Sequence, residues 1–241
     1  MCGRYVLTSD GQTLARVFNA EPGATLKPRY NIAPSQPIPI IRASQQPPDK
    51  GPGRRLVMVR WGLVPRWADD PSIGYRMINA RAETAASKPA YRAAMKYRRC
   101  LVPADGFFEW QKQPGGGKQP HLIQMADGAP FAFAGLWEHW QDENGNELET
   151  ATILTTDPNP LLARLHDRMP VILPAEHYDA WLDPANQHPN QLTPLLQPYP
   201  AELMLDRPVS RYVNSPSHDD PRCIEPTDGE QGTLTFETGE S

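Results

Sequence analysis

The chain has few of the features that mark membrane, disulfide-stapled or metal-built proteins. It has three cysteines in 241 residues. An odd number with no Cys-x-x-Cys pair supports neither a disulfide framework nor a structural zinc site. The six histidines show no His-x-x-x-His spacing either. No apolar run approaches the ~18 residues a membrane span needs. The opening residues, Met1-Cys2-Gly3-Arg4-Tyr5, lack the basic and then apolar pattern of a secretory signal. These absences predict a reduced, cytoplasmic protein with no cofactor, no metal and no membrane attachment.

Proline is plentiful, at 28 residues beside 17 glycines, which predicts stiff, irregular connections. The net charge of −4 hides an asymmetry. Residues 27–112 carry 16 Lys/Arg against 6 Asp/Glu, whereas residues 141–241 carry 5 against 18. The basic half is interleaved with Trp61, Trp67, Tyr75, Tyr91 and Tyr97, as a phosphate-tracking, base-stacking surface requires. A solvated face balanced by the acidic half explains the same numbers, so charge alone leaves both readings open.

Hydrophobic spacing predicts a helix over Gln12–Asn19 capped by Ser9 or Asp10, and another near Pro89–Arg98 capped by Ser87. Short helices are expected at Pro160–Leu165 and Ala175–Leu182. Strands are expected at Ile38–Ile41, Leu56–Val64, Cys100–Val102, Phe107–Gln111, His121–Met125, Phe131–Trp140, Thr150–Thr156 and Val171–Leu173. Pro114–Gly117 and Asn144-Gly145 read as hairpin turns. The chain from Pro22 to Gln36 and the Gln45–Arg55 stretch read as irregular. Strands joined by hairpins, with scattered helices, give an α+β class with a largely antiparallel sheet. No linker divides the chain, so one domain is expected over 1–225, followed by a polar, disordered tail over 226–241. The stretch from Ser215 onward shows little to bury.

Four clusters can do chemistry. If Met1 is removed, Cys2 presents an α-amine and a thiol on adjacent carbons. The α-amine has an ordinary pKa of ~7.7–8.0, against ~10.4 for lysine, so far more of it is neutral near pH 7. An aldehyde meeting this pair forms an imine with the amine, and the thiolate can then close a five-membered thiazolidine. Asn79-Ala80-Arg81-Ala82-Glu83-Thr84 places an amide, a guanidinium and a carboxylate together, fit for a sugar phosphate or for a capped turn. Glu109, between aromatics after the Asp105-Gly106 turn, suits a general acid–base with a raised pKa or a hydrogen-bonded strand glutamate. His166 in His166-Asp167-Arg168-Met169-Pro170 can shuttle protons near neutrality or serve the fold.

These clusters, with Arg29-Tyr30-Asn31-Ile32-Ala33-Pro34, Trp61-Gly62-Leu63-Val64-Pro65 and Trp67, occur in an order that resembles the SOS-response-associated peptidase (SRAP) family of abasic-site processing proteins. The resemblance covers roughly residues 1–225. It implies a curved or barrel-like sheet system with short peripheral helices. It also implies a monomer acting on abasic sites in single-stranded DNA, and so a DNA-associated location. By it, Cys2 would attack C1′ of the ring-opened abasic sugar, with Asn79, Glu109 and His166 completing the catalytic set. Arg4, Asn31, Trp61, Trp67 and Arg81 would bind the strand. The family's name implies a peptidase activity, with the chain's own Met1 as its candidate substrate. Two other classes stay open: an N-terminal-cysteine amidohydrolase and a non-covalent single-strand binder.

Overall fold

The computed structural model describes residues 2–23, 25–44 and 53–227. Five strands form one sheet: β1 (Tyr5–Leu7), β2 (Arg29–Ile32), β7 (Gly106–Lys112), β8 (Lys118–Met125) and β13 (Met204–Pro208). The second sheet contains β3 (Pro37–Ala43), β4 (Arg54–Trp61), β5 (Asn79–Arg81), β6 (Arg99–Ala104), β9 (Phe131–Gln141) and β10 (Glu147–Thr156). The short β11 (Met169–Pro170) and β12 (Ile172–Leu173) complete it. The first sheet runs β13-β8-β7-β1-β2. In the second, the path β10-β4-β3-β6-β9 is closed by the β9–β10 hairpin, so five strands form a barrel without free edges. The fold is α+β. Its helices are short: α1 (Gly11–Val17), α2 (Ala82–Ala85), α3 (Arg92–Tyr97), α4 (Pro160–Ala163), α5 (Tyr178–Leu182) and α6 (Pro189–Leu192).

Alternation along β1 and β7 decides what faces the main core. Tyr5, Leu7 and Phe107 point into it, while Val6 and Phe108 point to a smaller cluster on the opposite face. Inside, Tyr5 meets Trp61 and Phe133 edge to face at 5.5 and 6.1 Å, and Phe107 meets Phe133 at 5.8 Å. Such pairs add ~0.5–1.5 kcal/mol each beyond their burial. Asp105 separates β6 from β7 because its carboxylate accepts from the backbone N–H groups and hydroxyls of both Thr8 and Ser9. Gly62, at φ +123°, lies so close to Gly74 that an added Cβ would stand 2.5 Å from the Gly74 carbonyl oxygen. That close approach stacks the segment after β4 against the turn leading to β5.

Several local expectations shift. Asp10, rather than Ser9, caps α1 by accepting from the Thr13 N–H. Helix α3 starts at Arg92, and the Ser87 hydroxyl donates to the Thr84 carbonyl instead of capping it. Strand β2 occupies chain expected to be irregular, and β4 begins at Arg54, inside the expected Gln45–Arg55 loop. Residues 45–52 of that loop lie outside the described residues.

The largest departure concerns the stretch after Ser215. Residues 209–226 fold back as a clasp over the outer face of the five-stranded sheet and bury Val209, Val213 and Cys223 against Val6, Phe108 and Leu122. The Asp219 carboxylate accepts from the Tyr30 and Asn31 N–H groups at 2.6 and 2.9 Å and pairs with Arg29. Polar side chains bind this segment because their partners are backbone groups of β2. The end of the expected tail, residues 228–241, lies outside the described residues. Pairs such as Arg29–Asp219, Arg42–Glu149 and Arg54–Asp179 join the basic and acidic halves, so part of the sequence asymmetry cancels in space.

Candidate active site and nucleic-acid interface

Cys2 lies just before β1 and is fully buried. Asn79, at the start of β5, donates from Nδ2 to the Cys2 carbonyl oxygen at 2.8 Å. Its position is set from two sides: β5 runs parallel to β10 with Asn79 opposite Ile153, and the Trp61 indole donates to the carbonyl of Ile78 at 2.9 Å. Asn79 Oδ1 is buried with no hydrogen-bond partner among the described residues, so an acceptor beside Cys2 is still unused. The Cys2 thiol is pushed far above its ordinary pKa, first by burial and then by the Glu109 carboxylate. It is therefore a thiol rather than a thiolate in this setting.

Glu109 lies on β7 and is 2% exposed. Burial raises its pKa, and the charge of His166 acts against that rise. A carboxyl with a raised pKa can give a proton and take it back. The His166 ring accepts from the Arg168 backbone N–H through Nδ1 at 3.0 Å, and the same nitrogen lies 2.8 Å from Asp167 Oδ1. One nitrogen cannot serve both at once. The N–H needs its lone pair, which puts the proton of the neutral ring on Nε2, whereas Asp167 needs a proton on Nδ1. Arg168 fixes the loop by pairing with Glu83 and Asp157 and donating to the Thr155 carbonyl, each at 2.7 Å. Thus Cys2, Asn79, Glu109 and His166, from four separate parts of the chain, converge on one site.

The five residues expected to bind the strand divide. Trp67 is 60% exposed and Arg81 is exposed, as are Arg66, Tyr75 and Arg76 in the segment between β4 and β5. None of these arginines forms an ion pair among the described residues. Trp61 is fully buried in the aromatic core and presents no ring face to a base. Asn31 is also fully buried: Nδ2 donates toward the carbonyls of Val213, Ser215 and His218, and Oδ1 accepts from Arg4 Nη1. Both are scaffold residues, because every group that would recognise DNA is already engaged. Arg4 is half-buried, and Nη1 also donates to the Val213 carbonyl.

The SOS response associated peptidase (SRAP) family model matches residues 1–216. The chain belongs to the SRAP family. Among its relatives, the abasic site processing protein YoqW of Bacillus subtilis is 46% identical over 228 residues, covering 93% of this chain and 99% of YoqW. The abasic site processing protein HMCES of Gallus gallus is 36% identical, covering 83% of this chain and 66% of its own length. A crystal structure of a protein from Bacteroides thetaiotaomicron superposes with a TM-score of 0.82 at 27% identity, covering 93% of this chain and 99% of that one. The shared SRAP frame is the barrel and its flanking five-stranded sheet.

Two residues near the SRAP site escape the sequence reading. The Tyr5 hydroxyl is buried without a partner among the described residues, and Cys2 is one of the groups acting on it. Arg168 sits inside a motif where only His166 suggests chemistry, and its part as a triple anchor depends on Glu83, which is far away in sequence. The residue count from Glu83 to Arg168 gives no hint of that contact.

Proposed function

We propose that this protein captures abasic sites in single-stranded DNA as a covalent adduct on Cys2 after Met1 is removed. While Met1 is present the Cys2 nitrogen is an amide, so neither step of the capture is available. Cleavage of the Met1–Cys2 bond, by the chain itself or by an aminopeptidase, frees the amine. The amine adds to C1′ of the ring-opened deoxyribose, the carbinolamine loses its hydroxyl as water, and the Cys2 thiol adds to the imine carbon to give a thiazolidine. Ring closure removes the imine, whose acidified C2′ proton otherwise leads to strand cleavage.

The observation that carries this reading is the Asn79 hydrogen bond to the Cys2 carbonyl beside the buried Glu109 carboxyl. The bond holds Cys2 in place at its carbonyl without using the nitrogen or the sulfur. Glu109 protonates the departing hydroxyl and then accepts the proton released by the thiol. His166 protonates the sugar oxygen as the ring opens, and the open acceptor on Asn79 receives a sugar hydroxyl. Trp67 and Tyr75 stack flanking bases while Arg66, Arg76 and Arg81 neutralise phosphates. The names of the SRAP relatives point to the same lesion.

The reading is tested by replacing Cys2 in chains from which Met1 has been removed. Cys2→Ala keeps the amine and is expected to give only a borohydride-trappable imine or nicked DNA, whereas Cys100→Ala and Cys223→Ala crosslink normally. A stable adduct surviving in Cys2→Ala contradicts the mechanism.

A further inference from the structure

The inner face of the five-stranded sheet carries more titratable groups than the capture reaction uses. His121 on β8 is paired directly opposite Glu109 on β7, so the two side chains leave the same face. The next strand, β13, supplies Asp206, whose Oδ2 lies 3.0 Å from His121 Nδ1. Its other oxygen accepts from Arg164, two residues before His166. The imidazole and the carboxylate are largely covered, with side chains 13% and 8% exposed. From Cys2 outward the face therefore reads Glu109, His121, Asp206, and the segment after α4 lies over it with Arg164 and His166.

This order has a chemical consequence. An ionised carboxylate only accepts, so Asp206 requires a proton on His121 Nδ1. That leaves Nε2, on the far side of the ring, to gain and lose the exchangeable proton. Nε2 makes no hydrogen bond among the described residues. Asp206 also fixes the ring's orientation, in the manner of a carboxylate behind a catalytic histidine. Glu109, by contrast, is almost sealed from solvent, so its protons must arrive and leave along some path.

We propose that His121, oriented by Asp206, is a positioning and proton-exchange residue that connects Glu109 with solvent. The inference deepens the proposed function and rests on it. When the carbinolamine hydroxyl leaves as water it takes a proton from Glu109. His121 Nε2–H loads Glu109 with that proton beforehand, directly or through one water, and the ring regains its own from bulk solvent. On ring closure the ionised Glu109 accepts the thiol proton and passes it back to solvent along the same path. The titratable and charged groups around His121 are Glu109, paired opposite it on β7, and Asp206 from β13, which also holds Arg164; His166 and Cys2 interact with Glu109.

The test uses the full chain with Met1 removed and single-stranded DNA carrying one abasic site. His121→Gln keeps a donor toward Asp206 but cannot carry a proton through. It is expected to slow crosslinking by about 10-fold at neutral pH, short of the ~10²–10⁴ of a direct acid–base group. Affinity for DNA with a stable tetrahydrofuran abasic analogue stays at the wild-type value. Asp206→Asn gives a smaller loss of the same kind. The pH–rate profile of His121→Gln differs in shape from that of the wild type. In His121→Ala, added imidazole restores the rate, which a purely structural role does not allow. Wild-type rates and an unchanged pH profile in both His121→Gln and Asp206→Asn overturn the proposal. Equal losses of rate and analogue affinity overturn it too, by assigning His121 to strand positioning. If the wild-type chain forms no adduct, the proposed function itself falls and the relay falls with it.

Discussion

Two regions of the molecule carry the same residue types and use them in opposite ways. On the clasp side, Arg4, Asn31 and Trp110 spend their polar atoms on each other and on residues 213–218, with the Trp110 indole donating to Asn214 Oδ1 at 2.8 Å. In the segment from the end of β4 through β5, Arg66, Trp67, Tyr75, Arg76 and Arg81 are exposed. The lesson is that an arginine or a tryptophan near a site says little about DNA until its hydrogen bonds and ring faces are accounted for. A buried amide with its donors and acceptor engaged stabilises the fold, and an exposed ring remains available to a base.

Substitutions can break this comparison. The largest effect is expected for Trp61→Ala, which empties the aromatic core and should cost about 3–5 kcal/mol in denaturant unfolding. Unimpaired stability with weakened DNA binding would return Trp61 to the interface. Asn31→Leu strands the carbonyls of the clasp and the Arg4 guanidinium, so a loss of ~2–3 kcal/mol is expected in the same assay. Trp67→Ala should leave stability within about 0.5 kcal/mol and weaken binding to intact single-stranded DNA by ~1–3 kcal/mol. Arg81→Ala should lower the salt slope of binding by roughly 0.7. An unchanged slope would place Arg81 outside the phosphate path.

The site makes a pH prediction of its own. Burial raises the Glu109 pKa above its unfolded value, so the native state holds a proton that the unfolded chain releases. Stability linked to Glu109 is therefore full below the ordinary glutamate pKa of ~4.3 and declines as pH rises through the raised value. Glu109→Gln should remove that decline and be more stable than wild type at neutral pH while crosslinking slowly. Urea midpoints across pH report the first effect, and adduct formation reports the second.

Strand periodicity and turn chemistry made most of the barrel legible. The Asn144-Gly145 turn and the alternation of β9 and β10 are local signals, and Gly145 adopts the expected positive φ, at +84°. Strands β2 and β13 stayed hidden because they are short, flanked by proline, and defined by partners far away in sequence. Cys2, Glu109 and His166 could be singled out by residue type and setting. The division between Trp61 and Trp67 could not, since only packing distinguishes a core indole from an exposed one. His121 had no dependable local signal: counting back from a Pro114–Gly117 turn pairs Glu109 with Leu122, and only the observed loop, which also takes in Gln113, shifts the partner to His121. Asp206, the partner that gives His121 its tautomer, lies 85 residues away and left no trace either.

The central claim is that Cys2 and its own amine together hold the abasic sugar. Intact mass spectrometry of the Met1-free chain, mixed with single-stranded DNA bearing one abasic site, tests it most directly. The account predicts one species with the summed mass of protein and DNA less one water, formed without reductant and stable to heating, and absent when the N-terminus is blocked. An adduct that requires borohydride, or that persists on the blocked chain, would contradict it.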